Sequence, residues 1–209
     1  LAYFLARGGA NVTLLEAGSL GGGSSAAPAG RAQIIESETE NYLVLVKSGI
    51  ERLETLGDEL EIDLEWTTPG HLTLISTEEE RQNFQKLILR LQRHGIPAEM
   101  LDLETLRKTE PMLNPEGFIG AAYSHEGHLN PFKFTAGFSR AARRLGAKLT
   151  PQTRVTGFEI IGNHIQAVNS TAGKFQARVI LMAAGAWMGE LAAMAGTHFP
   201  MKYTHAEAM

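Results

Sequence analysis

Apolar positions along this chain recur at helical spacing in some stretches and alternate or run together in others, and the switches between these patterns mark its elements. Leu1 to Arg7 is short, rich in Ala and Leu, and halted at Gly8-Gly9, the pattern of a helix end with a glycine cap. Val12, Leu14 and Leu15 then form a strand, Asn11 to Leu15, that ends on Glu16. From Glu38 to Leu56, Tyr42, Val46, Ile50 and Leu53 recur at spacings of three and four, which predicts an amphipathic helix closed by Gly57. A turn at Pro69-Gly70 leads into the alternating strand HLTLIS. Thr77 and Glu80 are spaced as a capping box, and the helix they open carries Phe84, Leu87, Ile88 and Leu91 on one face until Gly95. A third, short helix from Asp102 to Glu110 is stopped by Pro111.

The second half continues the alternation. Phe118 to Tyr123 reads as a strand. Asn130 followed by Pro131 is a helix-start signal, and Phe134, Phe138, Ala141 and Leu145 form the stripe expected to be buried, with Gly146 as the stop. Arg140, Arg143 and Arg144 lie near that helix's C-terminal end, where the backbone dipole favours positive charge. Strands are predicted at Arg154 to Ile161, His164 to Asn169 and Lys174 to Arg178, joined by Gly162-Asn163 and Ala172-Gly173. Val179 to Ala183 is a continuous apolar run, expected to be a buried parallel strand, and a helix through Leu191 follows.

Composition narrows the class. With 209 residues, 44% hydrophobic and 20% charged, the chain holds one large domain or two small ones with a sizeable core. A net charge of −4 argues against nucleic acid or an anionic membrane as the main partner. No apolar run is long enough to span a bilayer. The absence of cysteine removes disulfides, thiolate metal sites and cysteine nucleophiles, and a cytoplasmic setting is expected.

Four segments carry candidate chemistry. In ARGGANVTLLEAG a short strand ends on Glu16, where a carboxylate can accept hydrogen bonds from a ribose diol; the competing reading is a surface acid in a turn. In GGGSSAAPAGRAQ the glycines come after the acid, so they are not the phosphate fingerprint, which must precede it by one βαβ unit. The Ser24 and Ser25 hydroxyls and nearby backbone N–H groups nevertheless suit a pyrophosphate, and an ordinary loop is the alternative. The pair HLNPFKFTAGFSRAARRLGAKL and TRVTGFEI is a capped helix and strand, in which the Val155 backbone is placed to meet an adenine ring or Val155 is simply core. In VILMAAGAWMGEL small residues at a strand end allow close approach of backbone to a ligand, or a tight turn. The run His125-Glu126-Gly127-His128 lacks zinc-helix spacing, and His71, His94, His164 and His198 stand apart as surface or satisfied residues.

Taken in order, these segments resemble the FAD-dependent amino-acid oxidase superfamily, the glycine oxidase, sarcosine oxidase and D-amino-acid dehydrogenase-like flavoproteins. The resemblance covers nearly the whole chain through LAYFLARGGANVTLLEAG, GGGSSAAPAG, GHLNPFKFTAGFSRAARRLGA and VILMAAGAW. It implies an α/β fold: a Rossmann-like FAD-binding domain of the GR2 type with an α+β substrate-domain insert, both incomplete. The FAD-binding domain would comprise residues 1–61 and 127–195, without the family's first strand and G-x-G-x-x-G turn. Residues 62–126 and 196–209 would form part of the substrate domain. The resemblance implies that Glu16 binds the adenosine ribose of FAD. Ala17, Ser24, Ser25, Ala29, Gly30 and Arg31 would line the pyrophosphate and reach toward the flavin. Val155 would hold the adenine, and Ala183, Ala184, Gly185 and Trp187 would pass beside the dinucleotide. The implied reaction is oxidation of the carbon–nitrogen bond of an amino acid or related amine, by hydride transfer to flavin, with oxygen, quinone or another carrier as acceptor. The partner is that small-molecule substrate, and the oligomeric state stays open. The alternatives are a non-catalytic fragment or subunit that does not retain FAD, and an NAD-dependent dehydrogenase, which shares Glu16 but accounts poorly for the Gly/Ser loop and the meander.

Overall fold

A computed structural model describes residues 1–35, 37 and 39–202. Backbone packing divides the chain into two compact units, residues 1–27 with 138–209 and residues 28–137. These are units of packing.

In the first unit, helix α1 (Ala2–Arg7) buries Tyr3 and Ala6 and leads to strand β1 (Thr13–Leu15). Tyr3 meets Phe138 edge-on at 5.6 Å between ring centres, and the Arg7 guanidinium lies 5.1 Å over the Phe4 ring. Strand β1 pairs in parallel with a later strand of this unit, Lys148–Thr150, with Leu14 opposite Leu149. Three antiparallel strands follow, Val155–Ile161, His164–Ser170 and Gly173–Phe175, with the middle one central; the third stops at Phe175, short of the predicted Arg178.

The second unit opens with the two-residue strand β2 (Arg31–Ala32) and helix α2 (Glu40–Leu60). Strand β3 (His71–Ile75), helix α3 (Glu78–Arg93), strand β4 (Ala98–Leu101) and helix α4 (Leu103–Thr109) come next, then strands β5 (Gly120–Ser124) and β6 (Gly127–His128). Strand β5 is the middle of an antiparallel β3-β5-β4 sheet, and its Ala121 and Ala122 have no exposed surface. The period of two sends Ala122, Ile75 and Ala98 into a core with Leu43, Ile88 and Leu91 from α2 and α3. Ala121, Leu72, Leu74 and Leu101 go to the opposite face, against Leu106 of α4. Small residues on the central strand let a helix approach each side.

The helix starts follow their chemistry. Thr77 Oγ1 accepts from the Glu80 N–H at 3.2 Å while Glu80 Oε2 accepts from the Thr77 N–H at 3.1 Å, a complete capping box. Asp102 Oδ1 accepts from the Thr105 N–H at 2.7 Å. Helix α5 (Pro131–Arg144), within which the two units divide, begins with Asn130 Oδ1 accepting from the Phe132 and Lys133 N–H groups, each at 3.1 Å. Asn130 is itself held by Glu65, which also accepts from Lys133 Nζ at 2.7 Å. The hydrogen bond from Lys133, then that from Asn130, holds the Glu65 carboxyl below its ordinary value of 4.5. The same Glu65 hydrogen bond raises the Lys133 ammonium above 10.5.

Several expectations are corrected. Helix α2 does not stop at Gly57 but continues to Leu60 and ends on Glu61 in the left-handed conformation, φ 56°. Gly57 serves packing instead: the chain turns back so that Ile62 donates to its carbonyl at 3.0 Å, and a Cβ there would lie 3.1 Å from the Ile62 oxygen. Tyr42 is exposed, because the buried stripe runs through Leu43, Leu53, Leu56 and Leu60, one residue out of phase with it. The predicted start of this helix, Glu38, lies outside the described residues, as do residues 203–209. Leu145 is exposed because α5 ends at Arg144; Ala141 and Ala142 are buried. Val179 to Ala183 is neither strand nor buried, with Val179 68% and Leu181 59% exposed. An apolar parallel strand needs a neighbour's backbone to complete its hydrogen bonds, and no described strand pairs with this run. Strands β2, β4, β6 and Lys148–Thr150, each of four residues or fewer, are too short to carry a periodicity and were not foreseen.

Two predictions follow the packing. Gly30 has φ +78°, and a Cβ on it would lie 2.0 Å from the Leu129 oxygen, whereas Gly49 in α2 faces open space. Gly30→Ala is expected to lower unfolding stability by about 3 kcal/mol and Gly49→Ala to raise it by about 0.5–1 kcal/mol, read from urea midpoints. The depressed Glu65 carboxyl contributes stability that is fully present above pH 4.5 and lost as pH falls through its lowered native value. Glu65→Gln should therefore flatten the acid limb of the stability–pH curve while leaving its slope near neutral pH unchanged.

Candidate functional site

In the first unit, backbone hydrogen bonds place Glu16 where β1 ends. Its N–H donates to the Thr150 carbonyl at 3.0 Å, and its carbonyl accepts from the Thr153 N–H at 2.8 Å. The parallel ladder thus continues one residue past the strand and brings Glu16 beside the segment leading to Val155. The carboxylate turns back over its own loop: Oε1 accepts from the Gly18 N–H at 2.7 Å. Gly18 in turn accepts from Gln152, whose φ of 54° marks a tight turn. Ala17 is exposed beside this turn. Val155 begins the first strand of the meander, opposite Ser170, with a register shift between Val155 and Gly157 that breaks regular pairing there.

The Gly/Ser segment forms a turn. Gly23–Ala26 is a single turn of 3₁₀ helix, with Ser24 and Ser25 exposed. The Trp187 ring, 52% exposed, covers its start: a Cβ on Gly23 would lie 3.9 Å from the indole. Gly185 needs its positive φ of 53° to begin the 3₁₀ turn Gly185–Trp187 that leads into helix α6 (Met188–Met194), and the Ala184 N–H points to Met188 Sδ at 3.3 Å. Within this unit, therefore, Glu16 and Ala17 come together with the approach to Val155, and Gly23, which opens the Gly/Ser turn, comes together with Trp187. Ala183 is exposed on the irregular segment before that turn.

Ala29, Gly30 and Arg31 belong to the second unit. Strand β2 pairs with β6, Arg31 opposite His128, and Gly30 accepts from the Leu129 N–H at 2.9 Å. Arg31 leads to His71 and Glu126, to which the sequence assigns no role in cofactor binding. Its Nη2 lies 2.7 Å from His71 Nδ1 and 3.1 Å from His71 Nε2, and Nε2 also lies 3.1 Å from Thr73 Oγ1. His71 pairs with Ser124, and both share the sheet face that carries Ile75 and Ala122. Glu126, 3% exposed, completes the group. Its Oε1 accepts from the Ile34 N–H at 2.9 Å, the Ile35 N–H at 2.7 Å and Ser124 Oγ at 3.1 Å. Its Oε2 is buried without a hydrogen bond, 3.9 Å from Arg31 Nη2. The sequence held one usable signal for Glu126, an acid beside a glycine between a strand and a capped helix, but the flanking histidines directed attention to metal binding. Among the described residues no three His, Asp or Glu side chains come together as metal ligands. A hollow of about 600 Å³ lined by Leu53, Glu54, Asp58, Glu61 and Trp66 contains none of these site residues.

A family model described as FAD dependent oxidoreductase matches residues 1–208. The chain is 30% identical over 143 residues to hydrogen cyanide synthase subunit HcnC of Pseudomonas aeruginosa, covering 68% of this chain and 34% of that protein. It is 28% identical over 204 residues to glycine oxidase of Geobacillus kaustophilus, covering 94% of this chain and 54% of that one. Among solved structures, L-proline dehydrogenase from P. horikoshii superimposes with a TM-score of 0.86 at 28% identity, over 93% of this chain and 52% of that one. Glycine oxidase from G. kaustophilus gives 0.85 at 27% identity over 93% and 54%. The chain thus spans roughly a third to a half of the length of these relatives.

Truncating Glu126 to Ala would leave the buried Ile34 and Ile35 amides without acceptors. A loss of about 3 kcal/mol in unfolding free energy is expected, measured by urea denaturation.

Proposed function

This chain belongs to the FAD-dependent oxidoreductase family, and from that premise we propose that it serves the oxidation of the carbon–nitrogen bond of an amino acid or related amine. The observation that carries the reading is the end of β1, where Glu16 closes a parallel pair beside the segment leading to Val155. That is the arrangement in which an acid receives a nucleotide's ribose at the carboxyl end of strands. The residues present fit the group. Glu16 offers a carboxylate for a diol, Ser24 and Ser25 offer exposed hydroxyls for a diphosphate, and Gly185 keeps the backbone clear of a side chain.

In this reading Glu16 holds the adenosine ribose, Ala17 lines the diphosphate, and Val155 meets the adenine through its backbone. Ser24 and Ser25 bind the diphosphate, with Ala183, Ala184, Gly185 and Trp187 alongside. Ala29, Gly30 and Arg31 serve the flavin end. Residues 1–61 and 127–195 form the cofactor domain, and 62–126 with 196–209 belong to the substrate domain. FAD, when bound, supplies the acceptor for the hydride of the carbon next to nitrogen. The contribution of this chain is binding, orientation and exclusion of water. An amine that arrives neutral needs no general base from it. The names of the relatives, glycine oxidase among them, support an amino-acid or amine substrate. No helix of the described residues is long and apolar enough to cross a membrane. The lack of cysteine accords with a reducing compartment such as the cytoplasm.

Titrating the chain with FAD and following flavin fluorescence tests this reading. Saturable binding is expected, and Glu16→Ala should weaken it by at least about tenfold, the loss of one hydrogen bond to a charged group of about 1.5 kcal/mol. Equal affinity in the variant, with its fold intact by circular dichroism, would remove Glu16 from the site.

A further inference from the structure

We propose that Glu126 is a positioning residue that sets Arg31 as a pre-oriented donor for an oxyanion, a role that rests on the flavin-end assignment of Arg31 above. The starting point is a mismatch within one carboxylate. Oε1 accepts three hydrogen bonds, more than enough to anchor the chain after β2. Oε2 is buried with none. A buried acceptor left without a donor is costly, and a neutral side chain of the same shape would serve the Oε1 partners equally well. What the carboxylate adds is negative charge facing the Arg31 guanidinium at 3.9 Å, at a distance where it attracts without forming a direct hydrogen bond.

The guanidinium is thereby steered from three sides. The Arg31 backbone is fixed by pairing with His128, two residues beyond Glu126. Its Nη2 is engaged by His71, whose ring is held by Thr73. Its charge is drawn inward by Glu126. The side chain keeps 42% of its surface exposed, which leaves its planar fork accessible to a ligand. Such a fork matches a carboxylate or phosphate in bidentate fashion, and restraint before binding lowers the entropy lost on binding. Glu126 touches neither ligand nor reacting atoms in this scheme; it acts through Arg31.

Glu126→Gln separates this role from a structural one, because the amide oxygen can keep the three Oε1 partners while the charge disappears. The ¹⁵N-labelled full chain is observed through its arginine guanidinium signals at low temperature, with Arg31→Lys identifying the Arg31 set. Wild type should show resolved Nη signals for Arg31, from restricted rotation. Glu126→Gln should merge them, with the urea midpoint close to wild type, and Glu126→Asp should restore part of the splitting. Identical Arg31 signals in wild type and Glu126→Gln would overturn the positioning role without touching the function proposed above. FAD and acetate are then added separately. Displacement of the Arg31 signals by FAD identifies a diphosphate as the oxyanion, and displacement by acetate a carboxylate. The affinity of whichever binds should fall about tenfold in Glu126→Gln, the loss of one oriented charge-assisted contact. Movement by neither, or equal affinity in both proteins, overturns the oxyanion role; absence of FAD binding in wild type refutes the flavin reading separately, while the ligand-free spectra still decide on Glu126.

Discussion

The second unit depends on a carboxylate buried where apolar packing alone would not put one. Glu126 Oε1 takes the N–H groups of Ile34 and Ile35 out of the list of unsatisfied donors just where those two side chains enter the core with Leu43, Ile88 and Leu91. Without that acceptor the two isoleucines could be buried only at the cost of two bare amides. The turn after β2, the entry into α2 and the position of Arg31 therefore share one constraint. The glycines nearby serve it too: a side chain on Gly127 would sit 2.4 Å from the Trp66 ring, and one on Gly30 would strike the Leu129 carbonyl.

The first unit is organised differently, by backbone alone. Three hydrogen bonds, between Glu16 and Thr150, Thr153 and Glu16, and Gln152 and Gly18, splice two loops at the end of a parallel pair. No side chain is needed to bring Glu16 beside the approach to Val155. The ladder fixes the residue, and its carboxylate turns back to accept from the Gly18 N–H at the end of the strand.

How much of this was legible in the sequence follows from what kind of force fixes each part. Helix starts were readable because capping is local: Thr77, Asp102 and Asn130 each bond amides two or three residues ahead. The meander was readable from glycine turns and alternation. The end of α2 was not, since Gly57 is a stop signal in isolation but a contact surface for the returning chain here. The exposed run Val179 to Ala183 was misread for a related reason, because apolarity alone does not supply a pairing partner. In the candidate site, Glu16, Trp187 and the Gly/Ser turn were legible as candidates through ordered motifs. His71 and Glu126 were not, because residues 31, 71 and 126 meet only through sheet register, which no local pattern records.

Hydrogen–deuterium exchange of the full chain with and without millimolar FAD tests the central claim most directly, since it reports on each segment by its own amides. The account predicts slowed exchange in residues 16–26, 153–156 and 183–187, with the outer strands of the meander unchanged. Exchange in those three segments that is the same with and without FAD would contradict it.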